Sequence, residues 1–237
     1  MESKLYVELL RHTPDPEELV AMAARLCYSQ TGIKDLKDKV SADDQSKFIE
    51  KLISMGHLSP LEHICFTYGI EGISRAASHQ LVRHRIASYS QQSQRYVDAN
   101  NFDYITPPTV KEKGLESEFM RDMDYLNDIY VKYKDLYKIG NGSKEDARFV
   151  LPNAAETKII VTMNARELLH FFSKRTCNRA QWEIRAMAKD MLKLSYDVAP
   201  TIFKYAGPGC VTDKCHEGSM SCGRPDDVRK EFARYLN

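Results

Sequence analysis

The chain has 237 residues, 43% hydrophobic and 28% charged, which suits a globular protein of one large or two small domains. Its net charge of +1, from 34 basic and 33 acidic residues, argues against a protein that coats nucleic acid. No apolar run approaches the roughly 18 residues of a membrane span, and no signal peptide is evident, so we expect a cytoplasmic protein without nucleic-acid or membrane partners.

Apolar periodicity and end signals predict a chain in which helices dominate. In chain order we predict a strand at 5–10, a helix at 15–29, a charged, solvated segment at 34–39, a helix at 41–55, a strand at 63–70, helices at 74–83, 115–138 and 146–151, a strand at 158–163, a helix that begins after Asn164, and helices at 180–197 and 226–236. We therefore expect the α+β class, with a small, mostly antiparallel sheet flanked by several helices, in a single domain over 1–237.

The predicted ends have local physical reasons. Asp15 with Pro16 is a favourable start for the first helix, and Gly56 is a favourable stop for the second. Gly140-Asn141-Gly142 ends the long helix, and Pro152 stops the short one that follows. Asn164 with Glu167 three residues later is a capping box in its asparagine variant.

The segment from Arg83 to Tyr96 contains three arginines, one histidine, three serines and three glutamines, with little aliphatic content. That pattern is poor for a core strand or helix. Arginine forks grip phosphates and base edges, while hydroxyls and amides supply neutral partners. The segment therefore predicts a binding site for an anionic, hydrogen-bond-rich small molecule.

The cysteines are unevenly distributed. Cys210, Cys215 and Cys222 lie in a Gly-rich C-terminal tail that begins at about residue 207. With His216 they could supply four zinc ligands, but no Cys-x-x-Cys pair anchors such a site. We take a capping loop without metal as the default.

A rival site follows the first strand, where Arg11-His12 resembles the start of the Arg-His-Gly motif of histidine phosphatases. Thr13 replaces the glycine, and no second histidine beside an acid can be assigned. A histidine phosphatase therefore remains an alternative. A second alternative is a non-enzymatic nucleotide- or RNA-binding module that uses Arg83 to Arg95 and has a zinc-bound tail.

The same segment resembles the signature of flavin-dependent thymidylate synthases, in which Arg83-His84-Arg85 is followed after seven residues by Ser93. Further segments agree with the family in order over about 29–184, most of the chain. They are His57 with Ser59-Pro60 and Glu62-His63, Arg148 before Leu151-Pro152, Asn164-Ala165-Arg166, Arg175, and Gln181-Trp182-Glu183. Two positions depart from the family: Ser90-Gln91 stands where members often have Asn-Glu, and His170 where some have asparagine.

The resemblance implies reductive methylation of dUMP to dTMP, with methylenetetrahydrofolate as carbon donor and NADPH-reduced FAD as hydride source. It implies that Arg175 activates the uracil ring from beside ring nitrogen 3. The implied dUMP-binding residues are Gln80, Arg83, Gln91, Gln92, Ser93, Gln94, Arg95, Arg148 and Arg175. The implied FAD-binding residues are Ser29, His57, Ser59, Glu62, Arg83, His84, Arg85, Asn164, Arg166 and His170. No Gly-x-Gly-x-x-Gly fingerprint is present, so the flavin site is expected to be non-Rossmann. The resemblance also implies a homotetramer with shared active sites.

Overall fold

The computed structural model describes residues 1–136 and 144–235. Within these ranges the chain combines helices with a four-stranded antiparallel sheet, which confirms the predicted α+β class. The strands are β1 (Tyr6–His12), β2 (Cys65–Ser74), β3 (Ala87–Gln91) and β4 (Glu156–Asn164), in the order β1-β2-β4-β3. The helices are α1 (Pro16–Leu26), α2 (Ile33–Ser41), α3 (Ser46–Ser54), α4 (Arg75–Leu81), α5 (Pro108–Glu112), α6 (Glu116–Leu136), α7 (Lys144–Ala147), α8 (Ala165–Arg175), α9 (Trp182–Val198), α10 (Pro200–Phe203) and α11 (Pro225–Tyr235). Among the described helices, none combines the length and apolar character that crossing a bilayer requires.

The chain divides into two compact units, each assembled from separate stretches. The first unit contains Met1–Tyr6, Ile70–Arg83 and Tyr89–Ile160, and the second contains Val7–Gly69, His84–Ser88 and Val161–Asn237. All four strands contribute residues to both units. The single domain expected over 1–237 stays a prediction.

Strand β2 shows the alternation that a half-buried strand requires. Phe66, Tyr68 and Ile70 are buried at every second position, and the hydroxyl of Tyr68 lies 2.6 Å from Ser195 Oγ of α9. Burial accordingly raises the pKa of Tyr68. Near the end of the strand Gly72 has φ +69°, and an added Cβ would lie 1.8 Å from the backbone oxygen of Lys4. Only glycine fits this close approach of two chain segments.

Two polar side chains begin the helices that follow sheet strands. Ser74 Oγ accepts a hydrogen bond from Ala77 N (3.0 Å) at the start of α4. Asn164 Oδ1 accepts one from Glu167 N (2.9 Å) at the start of α8, which confirms the predicted Asn164 cap. The N–H of Ala165 donates to Ile64 O (3.0 Å), so α8 begins beside the residue that precedes β2.

Two sequence predictions were wrong in kind. Residues 34–39 belong to helix α2, because Leu36 and Val40 are one helical turn apart and both buried, while the intervening charges face solvent. The Arg83–Tyr96 segment contains strand β3, whose burial alternates although its residues are not aliphatic. Period-two burial of small, aromatic and amide side chains was the missed signal.

The other differences concern boundaries. The helix predicted at 41–55 corresponds to α3, which begins at Ser46. Strand β2 extends to Ser74 rather than ending at 70. The residues 146–151 form the end of α7 and a 3₁₀ turn over Arg148–Val150. The short helices α5 and α10 were not predicted. The predicted end of the long helix at Gly140-Asn141-Gly142 lies outside the described residues.

Candidate functional site

The second unit contains a chain of three hydrogen-bonded side chains centred on His84. Its Nδ1 lies 3.1 Å from Glu167 Oε1, and its Nε2 accepts a hydrogen bond from Arg175 Nε (3.1 Å). The edge of Phe171 packs against the ring of His84 at 4.9 Å, and the ring of His170 lies 5.9 Å away. Helix α8 supplies all four partners, so one rigid element positions the residues around His84.

The two hydrogen bonds fix the protonation of His84. Because Nε2 accepts from a guanidinium, which is donor only, the proton of the neutral ring sits on Nδ1 and is donated to Glu167. Burial lowers the pKa of His84 from 6.5; the bond to Glu167 opposes this, whereas the charge of Arg175 adds to it. His84 is 7% exposed and Glu167 is 8% exposed, so this bond is shielded from water. The lowered pKa of His84 therefore favours its neutral ring between Glu167 and Arg175.

Arg166, the next predicted site residue on α8, points to a different partner. Its Nη1 donates to Glu62 Oε1, and both side chains are about half exposed. Glu62 lies in the 3₁₀ turn Ser59–His63, so the pair connects two segments whose residues were predicted to bind the same cofactor. An exposed pair of this kind contributes little stability, roughly 0–1 kcal/mol, and can exchange partners for a ligand.

Ser29 and His57 belong to the same set of predicted cofactor-binding residues, and both lie near Tyr28. Ser29 lines a cavity of about 400 Å³ together with Arg25, Tyr28 and Lys39. The ring of Tyr28 meets the ring of His57 edge-on at 6.2 Å. The backbone N–H of His57 donates to Leu52 O (2.9 Å), and the helix end is thus closed by the main chain rather than by the imidazole.

The first unit gathers two predicted arginines around one carboxylate. Arg95 Nε lies 2.9 Å from Glu145 Oε1, and Arg148 Nη2 lies 3.9 Å from the same oxygen. Arg148 Nε also donates to the backbone oxygen of Glu145 (3.1 Å). The two guanidinium groups are thereby held near each other, an arrangement that suits a divalent anion such as a phosphate monoester.

Gln91 is anchored beside these arginines within the same unit. Its Nε2 donates to Ser78 Oγ (3.0 Å) and Thr157 Oγ1 (3.1 Å). Arg75 Nη1 also reaches Thr157 Oγ1 (3.3 Å), and burial together with the charge of Arg148 lowers the pKa of Arg75. Ser78 Oγ already donates its proton to Arg75 O (2.9 Å), so it offers position 91 a lone pair, which an amide N–H can use and a carboxylate cannot.

Ser93, predicted to bind dUMP, lies in the turn after β3 and lines a cavity. Its Oγ accepts a hydrogen bond from Arg95 N (3.1 Å), which shapes the turn after β3. Ser93, Gln92 and Gln94 line one cavity of about 200 Å³ in the first unit, with Thr157 and Lys158 from β4. A serine that stabilises a turn and faces a polar cavity is suited to bind a ligand.

The predicted residues divide between the two units by their predicted ligand. The dUMP set lies in the first unit except for Arg175, and the FAD set lies in the second except for Arg83. Arg83, Arg85 and Ser59 are exposed, whereas Gln80 is half-buried.

Three charged groups beside the predicted residues were not predicted from the sequence. They are Glu167, which is the partner of His84, and also Arg75 and Glu145. Glu167 was recognised only as a helix-capping residue. Its distance of 83 positions from His84 left no sequence signal for their contact.

The rival N-terminal motif makes local contacts. Arg11 Nη1 donates to Leu10 O (2.7 Å), and His12 Nδ1 lies 3.0 Å from Thr13 O. The ring of His12 stacks on Phe66 at 6.2 Å. These contacts hold the end of β1 and give the phosphatase hypothesis no support.

Comparisons with known proteins match most of the chain. The family described as "Thymidylate synthase complementing protein" matches residues 8–201. A protein named flavin-dependent thymidylate synthase from Geobacter sulfurreducens is 58% identical over 95% of this chain and 97% of its own length. A protein of the same name from Clostridium tetani is 49% identical over 95% of this chain and 96% of its own length. The crystal structure of a UMP/dUMP methylase, PolB from Streptomyces cacaoi bound with 5-Br dUMP, has a TM-score of 0.73 at 23% identity and covers 86% of this chain and 94% of that one, which shows a shared fold.

Proposed function

The chain belongs to the family of flavin-dependent thymidylate synthases, and we propose on that premise that it methylates dUMP to dTMP. It is an FAD-dependent methyltransferase that uses methylenetetrahydrofolate as carbon donor and NADPH as reductant. When bound, the flavin supplies the hydride transfer that protein side chains cannot perform.

The proposed catalytic role of Arg175 rests on one observation: a hydrogen bond to His84 holds its guanidinium in place. One of its five N–H donors is used by the bond from Nε to His84, and that bond sets the plane of the group. The bond thereby holds the guanidinium, and its positive charge, in one orientation. A fixed cation beside ring nitrogen 3 of uracil lowers the pKa of that nitrogen and favours the electron-rich anion. Arginine does this without itself losing a proton.

The donor set of the second unit fits FAD. Arg25, Ser29 and Lys39 contribute polar groups to a cavity that can take an anionic or ribose-bearing part of the cofactor. Arg166 is half-exposed, and its partner Glu62 can release it to a pyrophosphate. His170 and Asn164 offer donors suited to a flavin edge, and Ser59, His57 and Arg85 complete the proposed FAD set with Arg83 and His84.

The first unit supplies the proposed dUMP site. Arg95 and Arg148 would hold the phosphate, with Arg83 beside them and Ser93 as a hydroxyl donor. The amides of Gln80, Gln91, Gln92 and Gln94 suit the sugar and the pyrimidine edge. Phosphate would compete with Glu145 for the two arginines, so substrate binding requires that carboxylate to move.

The proposal includes a homotetramer with shared active sites, and a cytoplasmic location where the proposed small-molecule substrates are available. The support for the assembly is the family resemblance together with the division of site residues between two units, which allows one site to draw on more than one chain.

The proposal is tested with the purified full-length protein. We expect a yellow, FAD-containing protein that forms dTMP only when dUMP, methylenetetrahydrofolate and NADPH are all supplied, as measured by chromatography. Arg175→Ala should retain the flavin spectrum and lose dTMP formation about 100-fold or more, because it removes a charge that acts in the reaction. Lys174→Ala is the matched control, since Lys174 is the exposed cation next to it on α8. A colourless protein that fails to take up added FAD would contradict the proposal.

A further inference from the structure

Four of the six cysteines line one small cavity in the second unit. Cys177 comes from the turn between α8 and α9, and Cys210, Cys215 and Cys222 come from the segment between α10 and α11. Pro208, Pro225 and Val228 form apolar walls of the same cavity. Two stretches of chain, separated by more than a whole helix, therefore deliver four thiols to one place.

The electrostatics of the cavity agree with this proximity. Cys210 is 7% exposed, and burial together with the neighbouring Cys177, Cys215 and Cys222 raises the pKa of its thiol. The pKa of Cys215 is lowered by its hydrogen bond with Ser221 Oγ (3.4 Å) and by a backbone hydrogen bond from Glu217. The thiol of Cys210 therefore lies near the other three.

The segment that carries three of these cysteines has little regular structure to hold it. Between Phe203 and Pro225 the structure has only the 3₁₀ turn Gly218–Met220. Arg229 of α11 restrains part of it by donating to Cys210 O (2.8 Å) and Asp213 O (3.1 Å). A stretch of this length without helix or strand is uncommon inside a compact unit unless something else fixes it.

We propose that Cys177, Cys210, Cys215 and Cys222 bind a structural zinc ion as four thiolates. Tetrahedral zinc is the ion that four cysteines characteristically bind. The cavity, about 10 Å³, has room for a single ion or water and not for a multi-iron cluster. Binding releases the four thiol protons to solvent as Zn²⁺ forms four Zn–S bonds.

As the side chains stand, no group of three or more His, Cys, Asp or Glu within residues 1–136 and 144–235 is arranged to hold a metal ion. A cysteine has one side-chain torsion, and rotation about it moves the sulfur between staggered positions. Zinc binding therefore requires rotation of the thiols toward the cavity, with ordering of the tail as its consequence.

The tail alone has too few cysteines for a zinc site of four thiolates. The tail offers three cysteines and His216, but the imidazole of His216 lies 3.6 Å from Asp213 instead. Cys177, 33 positions before Cys210, completes the set of thiols. Because Cys177 follows Arg175 by two residues, the ion would also fix the end of the helix that carries Arg175.

The test measures metal in the flavin-loaded full chain by plasma mass spectrometry. We expect one equivalent of zinc in the wild type, and its loss in Cys177→Ser and in Cys222→Ser. Cys27→Ser and Cys65→Ser are matched controls that should keep it, because both thiols are exposed and do not line the cavity. Replacement by Co²⁺ should give the thiolate-to-metal charge-transfer absorption of a four-sulfur site.

A second measurement needs no variant and remains decisive if the substitutions prevent folding. With zinc bound, a thiol reagent should modify two of the six cysteines rapidly, and after chelation it should modify all six. Three outcomes would overturn the proposal. The wild type could lack zinc and take up neither Zn²⁺ nor Co²⁺, or it could contain iron with sulfide in place of zinc. In the third outcome, Cys177→Ser retains all of its zinc.

Discussion

Glu167 is the least expected partner in the candidate site, and we propose that it acts on the substrate only through His84 and Arg175. We expect Glu167→Leu to leave Nδ1 of His84 without its acceptor and to loosen Arg175, lowering kcat about tenfold or more, since a hydrogen bond to a charged group contributes roughly 1.5–3 kcal/mol. The KM for dUMP should change much less, because Arg95 and Arg148 hold the phosphate.

Glu167→Gln is the matched variant, since its amide oxygen can still accept from Nδ1. It should recover most of kcat, and ¹⁵N spectra should show the Nδ1–H tautomer of His84 in wild type and in this variant but a mixture in Glu167→Leu. Equal kcat in wild type and a folded Glu167→Leu would show that Glu167 does not position Arg175.

The lowered pKa of His84 also predicts a dependence of stability on pH. Its pKa in the folded protein lies below the ordinary 6.5, so the unfolded chain binds more protons as the pH falls through that value. The stabilisation is present above about pH 6.5 and is lost on acidification, by at most about 1.4 kcal/mol between pH 7.5 and 5.5.

Urea unfolding of the flavin-free protein at the two pH values measures this loss. His84→Gln is the control, because an amide can donate to Glu167 and accept from Arg175 without titrating. The wild type should lose more stability on acidification than the variant does. Parallel losses in both would assign the acid sensitivity to other groups.

At the scale of elements, the start of α8 has two separable roles. Asn164 Oδ1 caps the helix, and its amide is also a proposed flavin donor. Asn164→Ala should lower the free energy of unfolding by about 1 kcal/mol, the usual value for a lost cap, and should weaken FAD binding. Asn164→Asp keeps the cap oxygen and loses the amide, so it should retain stability while still weakening FAD. If Asn164→Asp binds FAD as tightly as wild type, the amide has no role in the cofactor site.

The elements also show why part of the fold was predictable. Helix ends with local chemistry, such as Asn164 before α8 and Gly56 after α3, lie where the sequence places them. Strand β3 was missed because its burial pattern is carried by Ala87, Tyr89 and Gln91, whose packing depends on β4 and α4. Pairings of this kind join residues far apart in sequence, and no local pattern encodes them.

The candidate site was likewise only partly predictable from the sequence. The resemblance selected the residues His84, Arg95, Arg148 and Arg175. The structure places the first three against carboxylates that the resemblance did not identify, and it places Arg175 against His84. Glu145 and Glu167 act by partnering those residues, and Cys177 joins the tail cysteines only through the fold. Residues that contact the ligand leave family signatures, whereas their supporting partners are evident only in three dimensions.

Apart from Arg175 and Arg83, the proposed dUMP and FAD sets fall in different units of the chain. The family resemblance predicts active sites shared between subunits. Complementation tests this directly. Arg95→Ala removes a phosphate-binding group of the first unit, and Arg175→Ala removes the activating group of the second, so each variant alone should be inactive.

The two variants are co-expressed with different tags, and hybrid tetramers are isolated on both tags in succession. If Arg95 and Arg175 of one active site come from different subunits, about a quarter of the sites in hybrids have both residues intact, and dTMP formation returns to about a quarter of the wild-type rate. If both residues come from one chain, every site lacks one of them and the hybrids stay inactive. Light scattering of the same samples checks the tetramer, and a monomeric wild type would contradict shared sites without reference to activity.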